Sequence, residues 1–209
     1  MPKTIHAFYS AHSAFAYIGA RELKRIASTA DAQIVHRPFD LRTLMGEIGG
    51  AVGNQSAAKR SYYFGRQIER WAEYHGVPIL DHVPETHHLS YDLANRLIIA
   101  ASQTLEPDLT DALAHAIMEA HWRDGADLSN SENLVAISKA ANCDGAALLA
   151  EAETAPVIAA HTANTAEALS RPMLGSPTYV VDGDMFYGQD TLPLVKRALA
   201  KPFADTWDS

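Results

Sequence analysis

Two short stretches near opposite ends of this 209-residue chain hold the residues best suited to chemistry. Close to the C-terminus, Leu174-Gly175-Ser176-Pro177-Thr178 leads into Tyr179-Val180-Val181, Asp182-Gly183, Asp184-Met185-Phe186-Tyr187 and Gly188-Gln189-Asp190. A proline cannot donate to a β-ladder, so Pro177 belongs at the first residue or edge of a strand, where an X-Pro bond is able to be cis. A cis bond would turn the main-chain groups of Ser176 outward, as an edge that accepts a peptide. The same order of residues also fits an ordinary hairpin followed by a capped helix. Near the N-terminus, Ser13 follows an apolar run and opens a helical pattern, a position preferred by capping serines. It lacks the GxSxG elbow of a serine hydrolase.

Other chemistry-bearing residues form no recognised set. His82, His87 and His88 cluster in sequence, and His115 and His121 share one helical segment, but none has HExxH spacing or a cysteine partner. They are expected to be surface histidines, and no metal site is expected. His12 adjoins Ser13, yet adjacent residues usually point apart, so a structural role is expected for it. The single cysteine, Cys143, rules out an intramolecular disulfide and a CxxC redox pair, and is expected to be a small core residue on a helical segment.

The elements that must position these residues follow from periodicity. Ile5–Tyr9 reads as a strand, Phe15, Ile18, Leu23 and Ile26 recur at helical spacing, and Gln33–His36 reads as a second strand, which together make a βαβ unit. Past the glycines at 46–50 the pattern is helical: Phe64, Ile68 and Trp71; Leu93, Leu97 and Ala101; Leu109, Leu113 and Ile117. Ser129 with Glu132 has the form of a capping box, Asp144 is placed to cap the next helix, and Thr154-Ala155-Pro156 starts another that stops near Arg171-Pro172. Asp182-Gly183 signals a tight hairpin, and Asp190 is placed to cap a last helix, Thr191–Ala200. Neither terminal part has strands enough for a sheet of its own, so the two are expected to pair. The expected architecture is α/β, with one domain from residues 1–45 and 172–209 and an all-helical insertion over 46–171.

With 17 Lys and Arg against 25 Asp and Glu, the net charge of −8 argues against sequence-independent binding to nucleic acid or to an anionic membrane. A small-molecule partner fits better. The N-terminus carries no apolar stretch of signal-peptide or membrane-span length, so a cytoplasmic protein is expected.

The βαβ start, the helical insertion and the proline-led hairpin with its closing helix resemble the thioredoxin-like plan of the DsbA-like proteins. In that comparison Ser13 and Ala16 occupy the positions where redox relatives carry CxxC, which excludes disulfide exchange. Ser13-Ala14-Phe15-Ala16-Tyr17, Arg66–Pro78, Ala163–Ala168, Gly175-Ser176-Pro177-Thr178 and Phe186–Asp190 resemble, in order and spacing, 2-hydroxychromene-2-carboxylate isomerases and kappa-class glutathione transferases. The resemblance implies a glutathione-dependent isomerase that turns an aromatic 2-hydroxychromene-2-carboxylate into trans-o-hydroxybenzylidenepyruvate. The thiolate adds to the conjugated bond, the adduct rotates, and elimination regenerates glutathione. It also implies a homodimer. Ser13 would be the catalytic residue, donating a hydrogen bond to the glutathione sulfur. Ser176 and Pro177 would hold the tripeptide main chain, and Gln189 and Asp190 its γ-glutamyl end. Asn54, Arg60 and Tyr63 would be further contacts, with Lys59 the alternative cation beside Arg60. Ala14 and Ala16 depart from the proline and second serine usual there, and His12 from the usual apolar residue. A kappa-like transferase for small electrophiles and a non-catalytic thiol or peptide carrier are the alternative readings.

Overall fold

The computed structural model describes residues 3–48 and 56–204. Strand β1 (Lys3–Tyr9) leads through Ser10–Ser13 into helix α1 (Ala14–Thr29) and back to β2 (Ala32–Pro38), which pairs parallel to β1. β3 (Thr178–Val181) lies antiparallel on the other side of β1, and β4 (Asp184–Tyr187) closes the sheet in the order β2-β1-β3-β4. The two ends of the chain therefore form one sheet, as the strand shortage of each end requires. The β3–β4 turn places Asp182 at φ +50° and Gly183 at φ +91°, the pair of left-handed residues that matches the twist of a two-residue hairpin.

Between β2 and β3 run α2 (Leu41–Ile48), α3 (Ala57–Arg60) and, through a π-helical turn at Ser61–Gly65, α4 (Arg66–His75). Then come α5 (Asp92–Thr104), α6 (Pro107–Asp124), α7 (Ser131–Ala140), α8 (Gly145–Ala152) and α9 (Ala155–Ser170), with α10 (Leu192–Ala200) after β4. Their ends obey local chemistry. Proline sits in the first turn of α6, α9 and α10, where its missing N–H has no intrahelical partner to lose. Gly76 and Gly125 end α4 and α6 at φ +62° and +72°.

Some boundaries differ from expectation. Asn130, not Ser129, caps α7, its Oδ1 accepting from the N–H groups of Glu132 and Asn133, because the helix starts one residue later. Asp144 caps α8 by accepting from Ala147 N. Asp190 does not cap α10: it lies in a 3₁₀ turn over Gln189–Thr191 that delays the helix to Leu192. Cys143 is buried as expected, but in the turn between α7 and α8.

The sheet is covered on both faces. Ile5, Ala7 and Tyr9 join the large core with Ile18 and Leu23 of α1, Leu97 and Ile98 of α5, and Leu113, Ile117 and Trp122 of α6. Phe8 and Val180 turn the other way, onto Phe39, Leu44, Ala168 and Met173. Each fully buried side chain of this size contributes roughly 1.5–3 kcal/mol, and the large core joins the inserted helices, α1 and the sheet in one cluster. Among the described residues, no helix is long and apolar enough to cross a membrane.

Candidate active site

The antiparallel register of β1 and β3 aligns Phe8 with Thr178. Carried two residues further, it sets Ser10 opposite Ser176, and the backbone N–H of Ser10 donates to Ser176 Oγ at 3.1 Å. The Ser176–Pro177 bond is cis. Three residues beyond Ser10, Ser13 begins α1. Its Oγ accepts from Ala16 N at 3.3 Å, the expected cap, and donates to the carbonyl oxygen of Ser176 at 3.3 Å. Both Ser13 and Ser176 are buried, so the main-chain groups of Ser176 do not simply face outward: its carbonyl is engaged by Ser13. The N–H of Ser176 makes no hydrogen bond among the described residues, nor do the N–H groups of Ala14 and Phe15. A hydroxyl and two free donors thus meet at the positive end of a helix dipole, an arrangement suited to a small anion or a developing thiolate.

The turn that carries Ser13 is pinned at nearly every main-chain group. Ser13 N donates to Ser10 O at 2.9 Å, and Ala11 N donates to Asn95 Oδ1 at 2.9 Å. Trp122 Nε1 donates to the carbonyl of His12 at 3.0 Å. Asn95 is fully buried, and its Nδ2 also donates to Phe39 O at 3.0 Å, so one amide clamps the segments that follow β1 and β2. Asn95 and Trp122 come from α5 and α6, and nothing near them in sequence marks them as supports for Ser13.

His12 is buried and engaged by its neighbours, and the expectation of surface histidines fails for the buried His121 and the half-buried His87. His12 Nδ1 lies 2.7 Å from Ser10 Oγ, and its ring stacks on Tyr91 with centroids 3.8 Å apart. The His87 ring is 4.7 Å from that of His12, and His87 Nδ1 is 3.0 Å from Nε2 of the buried His121. Burial, with the charges of His87 and Arg42, pushes His12 down to about 2. Burial next to His121 pushes His87 down to about 4. The stack is therefore neutral near pH 7. Since the partner of His12 is Ser10, Ser13 has no general base among the described residues, which removes the arrangement that would make it a nucleophile. Among the described residues, no group of three or more His, Cys, Asp or Glu side chains is placed to hold a metal ion.

The remaining sequence-derived positions are less uniform. Gln189 is buried and its Oε1 lies 3.1 Å from His75 Nε2, so its amide is turned toward α4. Asp190 is exposed, without a hydrogen bond or ion pair among the described residues, and folds over Gly188, where a Cβ would come 2.4 Å from its Oδ1. Lys59 is exposed on α3. Arg60 lies on α3 and Tyr63 in the π-helical turn, with their side chains outside the described part of the structure. Asn54 lies outside the described residues altogether.

A sheet of this order, with a helix-capping serine facing a cis-proline loop and a block of helices inserted before β3, defines a thioredoxin-fold protein of the DsbA type. The chain belongs to the DSBA-like thioredoxin domain family, whose model matches residues 4–200. It is 23% identical over 202 residues to a 2-hydroxychromene-2-carboxylate isomerase from Sphingobium xenophagum, covering 95% of this chain and 99% of that protein. Among solved structures, a 2-hydroxychromene-2-carboxylate isomerase superposes with a TM-score of 0.78 at 18% identity, covering 95% of both chains. The cytosolic disulfide reductase DsbM from Pseudomonas aeruginosa, solved with GSH, superposes with a TM-score of 0.61 at 18% identity, covering 95% of this chain and 93% of that one. The resemblance drawn from the motifs thus extends over nearly the whole chain.

Proposed function

We propose that this protein is a glutathione-dependent isomerase of the 2-hydroxychromene-2-carboxylate type, working in the cytoplasm as a homodimer on an aromatic catabolite. The observation that carries the reading is the Ser13 hydroxyl, set beside the N–H groups of Ala14 and Phe15 and against the Ser176 carbonyl, with no cysteine, no base and no partner for those N–H groups in reach among the described residues. A glutathione thiolate suits that place, and a relative of the same fold has been solved with GSH. Bound there, it supplies a nucleophile that adds reversibly to a conjugated double bond and lets it change geometry. The chain's own part is to hold and tune. The Ser13 O–H exchanges its bond to Ser176 O for one to the sulfur, and the helix terminus favours the charged form. The free N–H of Ser176 offers a main-chain partner in the manner of strand addition, and the Asp190 carboxylate offers a counter-charge to an ammonium group. Gln189 contributes through its backbone, its amide being held by His75. Asn54, Arg60 or Lys59, and Tyr63 are assigned to the carboxylates of ligand and substrate. Holding two reactants in one cleft contributes through proximity, without a general acid of unusual pKa.

Calorimetric titration with glutathione, beside turnover of 2-hydroxychromene-2-carboxylate, tests this on the native chain and on Ser13→Ala. Glutathione binding should persist in the variant while turnover falls about 100-fold, the usual effect of removing one donor from a developing anion. Unchanged turnover removes Ser13 from the mechanism. Steady consumption of thiol during turnover replaces the isomerase with a transferase of the kappa type.

A further inference from the structure

Along α1, Ala16, Ala20 and Lys24 recur every fourth residue and so lie on one face, which starts in the turn capped by Ser13 and runs toward the C-terminal end of the helix. Opposite them stand β1, β2 and α6. Because the side chains at 16, 20 and 112 are only methyl groups, the three layers do not close, and a cavity of about 340 Å³ lies between them. Its inner end is formed by Pro177 and the buried Tyr179. Its mouth is marked by Arg21, Lys24 and Asp108, whose side chains reach solvent. The walls are mostly apolar. This volume is at the lower end of the range of about 300–1,000 Å³ for small-molecule sites, and an apolar space of about 150 Å³ already admits one benzene ring.

One polar strip runs along the wall. Tyr9 Oη is 2.7 Å from His36 Nδ1, His36 Nε2 is 2.8 Å from Asp111 Oδ1, and Lys24 Nζ donates at 2.5 Å to both Asp111 and Asp108. Burial works against the Asp111 carboxylate, but the bonds from His36 and Lys24 outweigh it and hold its pKa below the usual value. An ionised carboxylate only accepts, so His36 Nε2 donates to Asp111, and a single hydrogen joins His36 Nδ1 to Tyr9 Oη. The phenol oxygen of Tyr9 is left with lone pairs to offer. At the mouth, Arg21 is paired with Glu119 at 3.3 Å, and Lys24 is shared between two carboxylates. Two cations against three carboxylates leave nothing for an anion.

From this geometry we infer that the cavity between α1, the sheet and α6 is a second ligand site, taking a neutral phenol or aromatic alcohol of one or two rings whose hydroxyl donates to Tyr9. The cavity backs onto the Ser13 groove, sharing Ala16 and Pro177 with it, but Ser13 and Ser176 are not among its walls, and its charge turns away both the anionic tripeptide and a carboxylate substrate.

Ligand-detected NMR on the full-length protein near pH 7 tests the assignment with three probes matched in shape: 4-ethylphenol, ethylbenzene and 4-ethylbenzoate. The phenol should bind best, ethylbenzene about fivefold more weakly for want of one hydrogen bond, and the benzoate at least about tenfold more weakly. Tyr9→Phe should lower 4-ethylphenol to the level of ethylbenzene. Ala20→Leu, which fills the space, should abolish binding of all three. If Ala20→Leu does not give the native circular dichroism, Ala112→Leu narrows the same space from the exposed mouth and should weaken the phenol. Saturating glutathione should displace none of the bound phenol. Failure of 4-ethylphenol to bind at millimolar concentration, undiminished binding in the filled variant, preference for the benzoate, or displacement by glutathione would each overturn the site.

Discussion

The two ends of the face of α1 that meets the sheet and the inserted helices are built on opposite principles. At the N-terminus, Ser10, Ser13, Asn95, Trp122 and Ser176 converge from four distant segments, and directional bonds hold each group. Along the flank from Ala16 to Lys24, small side chains leave space, and a polar chain from Tyr9 to Asp108 crosses a mostly apolar wall. The difference follows from what a helix exposes. Its first turn presents unpaired N–H groups that must find partners or a ligand, whereas its middle presents only side chains, and those decide by size alone whether a neighbour closes in.

That contrast is open to attack by substitution, and the strongest blow should fall at the polar end. Asn95→Leu strips the partners from Ala11 N and Phe39 O, both in buried surroundings, and each such group costs about 1–3 kcal/mol when left unpaired. A loss of about 3 kcal/mol or more is expected in urea denaturation, and a loss below about 1 kcal/mol would mean that the turn stands without its clamp.

Acid should act next, through His12. In the folded state its imidazole takes up a proton only near pH 2, whereas in the unfolded chain it does so near its ordinary value of 6.5. Between those limits the unfolded state binds more protons, so stability falls as pH drops below about 6.5, by up to about 1.4 kcal/mol per pH unit from this group. His87, lowered to about 4, adds to the slope over the upper part of that window. Replacing His12 with Phe should flatten the dependence between pH 6 and 4, measured as urea midpoints. An unchanged slope would place the proton uptake elsewhere.

Gly19→Ala probes the boundary between the two ends. A methyl group there would come 2.7 Å from Gln189 Cβ and 3.2 Å from Tyr179 Oη, and overpacking of this kind costs about 1–3 kcal/mol. The smallest effect is expected at the mouth of the cavity. Lys24→Met breaks a half-exposed pair, worth at most about 1 kcal/mol, while Asp111 keeps its bond to His36. A larger loss would make the polar chain a structural element as important as the clamp at Asn95.

Much of the frame was legible from local rules. The left-handed pair at Asp182-Gly183, the caps at Ser13 and Asp144, the proline-led strand and the βαβ start all depend on neighbours within a few residues. So did the exclusion of disulfide chemistry, which needs only a count of cysteines. The capping box at Ser129 and the cap at Asp190 were misplaced by one or two residues, because several side chains there are able to cap and packing chooses between them. The burial of His121 and the half-burial of His87 had no local signal at all. A short polar segment with three nearby histidines looks like surface until His121 and Trp122 of α6 pack against His87.

What the sequence determined alone was therefore the kind of end each element has: a serine at the start of a helix, a proline before a strand, and no thiol beside either. Only the tertiary structure decided that Ser13 Oγ bonds the Ser176 carbonyl, that Asn95 and Trp122 hold the turn between them, and that three alanines open a cavity behind it. Capping and turn preferences are settled by a few adjacent residues. Convergence and void are settled by how layers from remote parts of the chain pack, which no local window contains.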